Sequence, residues 1–181
     1  MNSEAIHQQL GKVYLDSAAR DVHGHLATLA YYARGKRVVE LGVYDCSTTW
    51  ALLAGEPLCL HSYDIARRDE VNQVEELVQP PFFRFTEADS LLIELEEHDV
   101  LYIDTLHTRE QLSQELNLHC AKVRDFILMH DTVTFGTVDQ FGESPGMWLA
   151  VQEFLGSHPE WKLRDHFTHN NGLTIIERVW L

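Results

Sequence analysis

Apolar positions along the chain follow two alternating patterns, one typical of strands and the other typical of helices. Short runs of apolar and β-branched residues predict buried strands over residues 37–41, 58–63, 82–86, 99–103 and 125–129. Between these runs, apolar residues three or four positions apart predict helices over residues 22–34, 47–53, 69–78, 109–120 and 145–155. Strands that alternate with helices in this way form a mostly parallel sheet.

Glycine, proline and small polar residues mark the ends of several predicted helices. Gly35 is placed to cap the first helix, and the prolines at 80 and 81 end the third. Ser144 and Pro145 predict the N-cap and the first residue of the last helix, which we expect to end at Gly156.

The C-terminal part of the chain has a different pattern. Residues 161–168 and 173–179 predict two strands, and the Asn-Asn-Gly sequence at 170–172 is typical of a hairpin turn. The sequence therefore predicts the α/β class: a Rossmann-like, doubly wound, mostly parallel seven-stranded sheet with a C-terminal antiparallel hairpin.

Composition and charge narrow the class of protein. With 14 Lys and Arg against 28 Asp and Glu, the net charge is −14, which disfavours a nucleic-acid partner. No apolar run approaches the ~20 residues that span a bilayer, and the first residues do not resemble a signal peptide. Three cysteines without C-x-x-C spacing suit a reducing compartment. We therefore expect a cytoplasmic protein without a membrane partner, folded as one domain over residues 1–181, with an N-terminal helical segment (1–35) and an α/β core (36–181).

Acidic residues follow most of the predicted strands, at the edge where open α/β sheets bind their ligands. We expect the alternation of strands and helices to bring them to one rim, although a single acid at such a position is also common as a helix cap. The acidic residues concerned are Glu40, Asp64, Asp89, Asp104 and Asp131.

The first strand-to-helix turn offers a candidate cofactor site. Gly42 allows close approach of a ligand to the backbone, and the following helix begins with free N–H groups. Neither the G-x-G-x-x-G fingerprint nor a phosphate-binding loop is present, which disfavours NAD and ATP. Asp64 ends the second strand, where its carboxylate can either accept both hydroxyls of a ribose or cap the next turn.

Three sequence motifs resemble a known family. VVELGVYDCSTTWALL (residues 38–53) resembles the S-adenosylmethionine loop of class I methyltransferases. YIDTLH (102–107) and ILMHDT (127–132) resemble steps of a small subfamily similar to the cephalosporin-hydroxylase-like and macrolide-sugar O-methyltransferases. GMWLAVQEFL (146–155) resembles the helix that follows in that subfamily.

The resemblance implies roles in cofactor binding for five residues. Glu40 and Gly42 would line the methionine end of S-adenosylmethionine, with Ser47 near its carboxylate. Asp64 would hold the ribose, and Asp89 would lie near the adenine amine.

The resemblance also implies a metal site, in which Asp104, Asp131 and His130 would bind Mg²⁺ or another divalent metal. Two positions depart from the family, since Cys46 replaces the second loop glycine and Thr105 replaces the glycine that usually follows the fourth-strand aspartate.

The residue types near the fourth and fifth strands suit methyl transfer to a hydroxyl. Carboxylates such as Asp104 and Asp131 are hard ligands that suit Mg²⁺, and a bound metal lowers the pKa of a hydroxyl. His107 is a candidate catalytic base together with Asp104, because the ordinary pKa of histidine lies near the working pH. His130 either orients Asp131 or favours Mn²⁺ or Fe²⁺. Because the chain contains 11 histidines, a chance position near an acid stays open for both.

The sequence therefore predicts an S-adenosylmethionine-dependent methyltransferase that O-methylates a small-molecule acceptor with the help of a metal. Two alternatives stay open: a non-catalytic binding module on a methyltransferase scaffold, and a metal-dependent hydroxylase-like protein. Homo-oligomerisation is also open. The glycine-containing loop at 136–146 is either a lid over the acceptor or a plain connector.

Overall fold

A computed structural model of the chain describes residues 3–16 and 21–179. The chain divides into two compact units, Met1–Ser90 and Leu91–Leu181. The helices and strands of the first unit are α1 (Ser3–Leu15), α2 (Leu26–Ala33), β1 (Arg37–Leu41), α3 (Ser47–Ala54), β2 (Cys59–Asp64), α4 (Asp69–Leu77) and β3 (Phe83–Glu87). Those of the second unit are β4 (His98–Ile103), α5 (Arg109–His119), β5 (Val123–His130), α6 (Met147–Ser157), β6 (Trp161–Phe167) and β7 (Leu173–Arg178).

The seven strands form one sheet in the order β3-β2-β1-β4-β5-β7-β6. In the first unit, β1 pairs with β2 and β2 with β3, both in parallel. In the second unit, β4 and β5 are parallel, whereas β7 is antiparallel to both β5 and β6. The predicted fold class, a mostly parallel seven-stranded sheet with a C-terminal antiparallel hairpin, is confirmed. That residues 1–181 form a single domain stays a prediction.

The predicted start of the last helix is wrong. Helix α6 begins at Met147, after an extended Gly146, and not at Ser144-Pro145. The N–H groups of Gly146 and Met147 donate to the carbonyls of Thr137 (3.0 Å) and Phe135 (2.8 Å), so the preceding loop satisfies them. A Cβ atom on Gly146 would lie 2.3 Å from the Phe135 carbonyl oxygen, and this close approach reserves the position for glycine.

Two other predicted boundaries are also wrong. Helix α6 passes through Gly156 and ends at Ser157. The first predicted helix, over residues 22–34, begins as a 3₁₀ turn at His23–His25, and only Leu26–Ala33 is α-helical. None of the helices in residues 3–16 and 21–179 is long and apolar enough to cross a membrane.

His98, at the start of β4, is expected to make stability depend on pH. Its side chain is only 3% exposed, Nδ1 contacts the Glu96 carbonyl (2.8 Å), and Nε2 has no hydrogen-bond partner among the described residues. Burial lowers the pKa of His98 from 6.5 to about 4. Below pH 6.5 the unfolded chain binds a proton at His98 that the folded chain does not bind. The free energy of unfolding therefore falls as the pH drops from 6.5 to about 4, by up to about 3 kcal/mol.

Chemical denaturation of wild type and His98→Leu between pH 7 and pH 4 tests this expectation. The wild type should lose stability more steeply than the variant toward acid pH, and His7→Leu, at an exposed histidine of α1, should keep the wild-type slope. Equal slopes for wild type and His98→Leu would show that His98 titrates normally in the folded chain.

Candidate functional site

The turn between β1 and α3 has a backbone conformation that favours glycine, but only one of its three left-handed residues is glycine. Gly42, Tyr44 and Cys46 have φ angles of 88°, 46° and 64°. A left-handed backbone costs roughly 1–2 kcal/mol at a residue with a Cβ atom. Cys46, which replaces a glycine of the resembled methyltransferases, therefore keeps the backbone conformation that a glycine would adopt. Its side chain is buried, and burial raises the pKa of the thiol, so Cys46 packs rather than reacts.

Asp64, at the end of β2, binds this turn. Its Oδ2 accepts hydrogen bonds from the N–H groups of Val43 (2.8 Å) and Tyr44 (3.0 Å), and its Oδ1 accepts one from Ala66 (3.0 Å). A carboxylate offers about four acceptor positions, so one position on Oδ1 is left for a ligand hydroxyl. Asp64 therefore caps the turn and can still accept one ribose hydroxyl, whereas accepting two requires the release of one backbone N–H.

Glu40, in β1, is completely buried. Its Oε1 accepts a hydrogen bond from the hydroxyl of Thr48 (2.7 Å), and its Oε2 accepts bonds from the hydroxyls of Thr49 (2.8 Å) and Ser62 (2.5 Å). These hydrogen bonds join β1 to the first turn of α3 and to β2. The structure thus gives the Glu40 carboxylate a packing role beneath the turn, and its implied contact with the methionine end of a cofactor stays a prediction.

The other implied cofactor residues also lie at the carboxyl ends of β1, β2 and β3. Gly42 is half-buried, and Ser47 is the first residue of α3, with a side chain that is 7% exposed. Asp89 is exposed, two residues beyond β3, and the adjacent Ala88 donates its N–H to the Asp64 carbonyl (2.8 Å). The first unit thus brings Gly42, Ser47, Asp64 and Asp89 to one edge of its three strands. Their contact with a cofactor stays a prediction.

Four residues of the second unit close into a ring, which we call the Asp-His ring. Nε2 of His107 lies 3.2 Å from Oδ1 of Asp104 and 3.0 Å from Oδ2 of Asp131. Nδ1 of His130 lies 3.4 Å from Oδ2 of Asp104 and 3.3 Å from Oδ1 of Asp131. Each carboxylate therefore faces both imidazoles, one through each oxygen. The predicted grouping of these residues is observed within this unit.

Two parallel strands and one turn position the ring. Asp104 follows β4, His130 is the last residue of β5 and Asp131 follows it; β5 pairs with β4 in parallel up to Ile103 and Met129. Asp131 has a φ of 59°, a left-handed conformation that aspartate tolerates better than most residues. His107 lies in the turn before α5.

Electrostatics inside the ring favour a charged Asp104 and a protonated His107. Burial acts to raise the pKa of Asp104, but His130 and His107 outweigh it and hold this pKa well below the usual range. Burial acts to lower the pKa of His107, but hydrogen bonds and charges from Asp104 and Asp131 raise it to about 10. A working pKa near neutrality, the reason for predicting His107 as a base, is therefore wrong for the ring by itself, in which His107 holds its proton at neutral pH.

Hydrogen bonds outside the ring orient two of its members. The Tyr102 hydroxyl donates to Oδ2 of Asp104 (2.9 Å). Nε2 of His130 lies 3.2 Å from the carbonyl oxygen of Asn170, in the hairpin turn. Because a carbonyl only accepts, Nε2 carries the hydrogen, and the ring nitrogen that faces the carboxylates is Nδ1. A metal-ligating histidine is usually held by such a bond from its other nitrogen.

The Asp-His ring fits a divalent cation. Asp104, His107 and Asp131 each offer one ligand atom, and these atoms all lie within 4.8 Å of one another. Oδ1 of Asp131 is buried and makes no hydrogen bond among the described residues. Donor atoms at right angles about 2.1 Å from an ion lie roughly 3 Å apart, close to the spacing in the ring. His130, which the sequence analysis places among the ligands, is not in this set, and His107 is. One imidazole with two carboxylates suits Mn²⁺, Fe²⁺ or Zn²⁺ better than Mg²⁺, which prefers oxygen.

Several supporting contacts were missed by sequence reasoning. Thr105, the second departure from the resembled family, donates its hydroxyl to the buried carboxylate of Glu115 (2.8 Å), so its side chain serves α5. Gln140 and Phe135 contact His107, and no local pattern marks either of them. The aromatic hydroxyl of Tyr102, two residues before Asp104, was the one available signal, because alternate residues of a strand share a face.

Comparisons with known proteins concern the fold. No protein-family model matches the chain, and no curated protein matches it in sequence. Among solved structures, it is similar to 1,6-didemethyltoxoflavin-N1-methyltransferase of Burkholderia thailandensis with bound 1,6-didemethyltoxoflavin and S-adenosylhomocysteine (TM-score 0.69, 14% identity, 97% of this chain and 84% of that one). It is also similar to N-methyltransferase NodS of Bradyrhizobium japonicum in complex with S-adenosyl-L-homocysteine (0.66, 12%, 98% and 99%) and to a protein of Corynebacterium glutamicum (0.68, 14%, 100% and 93%).

At these identities the likeness establishes the fold alone. The chain shares the fold of class I S-adenosylmethionine-dependent methyltransferases, as its sequence predicted. Membership of the narrower subfamily similar to the cephalosporin-hydroxylase-like and macrolide-sugar enzymes stays a prediction.

Proposed function

We propose that the chain is an S-adenosylmethionine-dependent methyltransferase that O-methylates a hydroxyl of a small molecule with the help of a divalent metal. The Asp-His ring is the observation that carries the proposal, because its Asp104, His107 and Asp131 bring three ligand atoms within 4.8 Å of one another, a spacing that suits a divalent cation. The likeness to methyltransferase structures that hold S-adenosylhomocysteine supports the cofactor.

The cofactor half of the proposal depends on the turn after β1. Gly42 leaves its backbone open to close approach, and Asp64 keeps one acceptor position for a ribose hydroxyl. Since Asp64 also holds the turn through Val43 and Tyr44, cofactor binding and turn conformation are coupled through one carboxylate.

The metal half depends on Asp104, His130 and Asp131, with His107 as a fourth donor. A bound cation would lower the pKa of an acceptor hydroxyl and hold it in place. In the transfer, the bond from the sulfonium to the methyl group breaks as the oxygen–methyl bond forms, and the hydroxyl proton must leave. Nε2 of His107 already carries a proton at neutral pH in the ring by itself, so it can take the hydroxyl proton only after losing its own, which the positive charge of a nearby cation would favour. Since the same nitrogen would bind a cation, His107 acts either as the base or as a ligand.

Calorimetric titration tests the cofactor half directly. S-adenosylmethionine and S-adenosylhomocysteine are titrated separately into the protein, with no metal, with MgCl₂ and with MnCl₂. Saturable micromolar binding supports the proposal, whereas no binding in any condition contradicts it. A panel of small molecules with neighbouring hydroxyls, assayed with labelled methyl donor, then searches for the acceptor.

Asp64→Ala is expected to weaken S-adenosylmethionine binding by at least about tenfold. The change removes the acceptor for the ribose and leaves the N–H groups of Val43 and Tyr44 without their partner, at a cost of about 1–3 kcal/mol. Calorimetry measures the affinity, and Asp69→Ala, at an exposed aspartate of α4, is the matched control. Equal affinities for wild type and Asp64→Ala would mean that the ribose binds elsewhere.

Two structural observations favour the alternatives to a methyltransferase. Tyr44 and Cys46 adopt left-handed backbone conformations although neither is glycine, and the carboxylate of Asp64 is largely occupied by backbone N–H groups. Both observations favour a binding module. Cofactor binding without turnover across the acceptor panel would support it. A hydroxylase-like protein is favoured by the two imidazoles of the Asp-His ring, which suit a redox metal. Metal analysis of the purified protein that finds no iron or copper would exclude it.

A further inference from the structure

Gln140 holds His107 by three hydrogen bonds. Its side-chain oxygen Oε1 accepts from the backbone N–H of His107 (3.0 Å) and lies 3.1 Å from Nδ1 of the same residue. The N–H of Gln140 in turn donates to the His107 carbonyl (3.2 Å). Backbone and side chain of Gln140 thus bind both the main chain and the imidazole of a single residue of the Asp-His ring.

The backbone N–H of His107 fixes the roles of these atoms. An amide nitrogen of Gln140 cannot accept from that N–H, so the atom facing it is the oxygen. The same oxygen only accepts, so Nδ1 of His107 carries a hydrogen. Nε2 is therefore the nitrogen that faces Asp104 and Asp131, available either for a proton or for a cation.

The segment that carries Gln140 is shaped by its own hydrogen bonds. Oδ1 of the buried Asp139 accepts from the N–H groups of Phe141 and Glu143, both at 2.8 Å, and so closes a tight turn around Gln140. Earlier in the same connection, the Phe135 ring stacks on the His107 ring, with centroids 4.8 Å apart and planes 11° apart. The imidazole is thus held at its face by Phe135 and at its outer nitrogen by Gln140.

We infer that Gln140 is a positioning residue, which fixes the orientation of His107 so that Nε2 is directed into the Asp-His ring. The inference rests on the proposed function for the purpose of this positioning, but the bonds themselves do not depend on it. It also gives the loop at 136–146 a role beyond connection, because the loop supplies the contact that holds a member of the site. Removing a hydrogen bond to the nitrogen of a metal-ligating histidine that does not face the metal typically lowers metal affinity 10- to 100-fold.

The test compares three variants at exposed glutamines. Gln140→Met keeps the length of the side chain but removes the acceptor, Gln140→Glu keeps an acceptor oxygen, and Gln152→Met on α6 is the matched control. Mn²⁺ affinity is measured by calorimetry with MnCl₂. In the metal-free protein the Nδ1–H of His107 is followed by ¹H–¹⁵N NMR, assigned with His107→Gln, because a hydrogen bond to Gln140 slows its exchange with water.

We expect Gln140→Met to weaken Mn²⁺ binding about tenfold and to make the Nδ1–H of His107 exchange with water at least about tenfold faster. Gln140→Glu should keep both values within about threefold of wild type, and Gln152→Met should change neither. If the Nδ1–H of His107 exchanges at the wild-type rate in Gln140→Met, Gln140 does not position His107. If the wild type binds no Mn²⁺, the metal half of the proposed function fails, while the exchange of the Nδ1–H still decides the role of Gln140. Should Gln140→Met not fold, Gln140→Asn, whose shorter amide cannot reach both groups, replaces it.

Discussion

Asp131→Asn is expected to weaken Mn²⁺ binding by at least about 100-fold and to leave the affinity for S-adenosylmethionine within about twofold. Asparagine has the shape of aspartate and tolerates the left-handed backbone of this position, so the fold should survive. The change removes one of the two negative charges of the Asp-His ring, and the loss of a buried charged partner costs about 3 kcal/mol or more. Calorimetry with MnCl₂ and with S-adenosylmethionine measures both affinities.

The control for this experiment is Asp165→Asn, at a partly exposed aspartate of β6 outside the ring. It should leave both affinities unchanged. Equal Mn²⁺ affinity for wild type and Asp131→Asn would remove Asp131 from the metal site. A collapse of S-adenosylmethionine affinity in Asp131→Asn would instead assign the carboxylate to the cofactor.

Gly55→Ala is expected to destabilise the protein by about 3 kcal/mol or more. Gly55 follows α3 and lies against α2, where an added Cβ atom would lie 2.2 Å from the Ala30 carbonyl oxygen and 3.0 Å from the Ala33 methyl. Two helix backbones must separate to relieve such a contact, and overpacking of this kind typically costs 1–3 kcal/mol, or more against a rigid neighbour. Urea denaturation monitored by circular dichroism measures the free energy of unfolding.

The chain offers a matched control in Gly156→Ala. Gly156 lies in α6, and an added Cβ atom would meet no heavy atom within 4 Å. Alanine is the better helix former by about 1 kcal/mol, so this variant should be slightly more stable than wild type. A Gly55→Ala protein with wild-type stability would show that α2 and α3 are not packed as closely as described.

The two glycines show where sequence reasoning reaches its limit. Both follow or lie within a helical pattern, and the sequence alone predicted that Gly156 would end its helix. The structure reverses this expectation, because Gly156 continues α6, whereas Gly55 is required by contact with another helix. A local sequence pattern indicates helix propensity, but it does not indicate which part of the backbone, remote in the chain, will pack against a residue.

Some features of the candidate site could also be predicted from the local sequence, and others depend on tertiary contacts. Asp104 and Asp131 were predicted because each follows a run of strand residues, and parallel neighbours end at the same edge of a sheet. The closed ring with both histidines, and the hold of Gln140 on His107, depend on side chains from different elements. Those contacts leave no periodic signal in the sequence.

The amino-acid pattern is enough to predict the order of strands and helices, the antiparallel hairpin at the end, and the acids at the strand ends. These features follow from hydrophobic period and turn chemistry, which act over a few neighbouring residues. The folded chain was needed to show that the buried Glu40 carboxylate accepts from three hydroxyls and that His107 lies between two carboxylates, with its pKa raised to about 10. Burial and charge depend on distances between residues remote in the chain, so these properties exist only once the chain has folded.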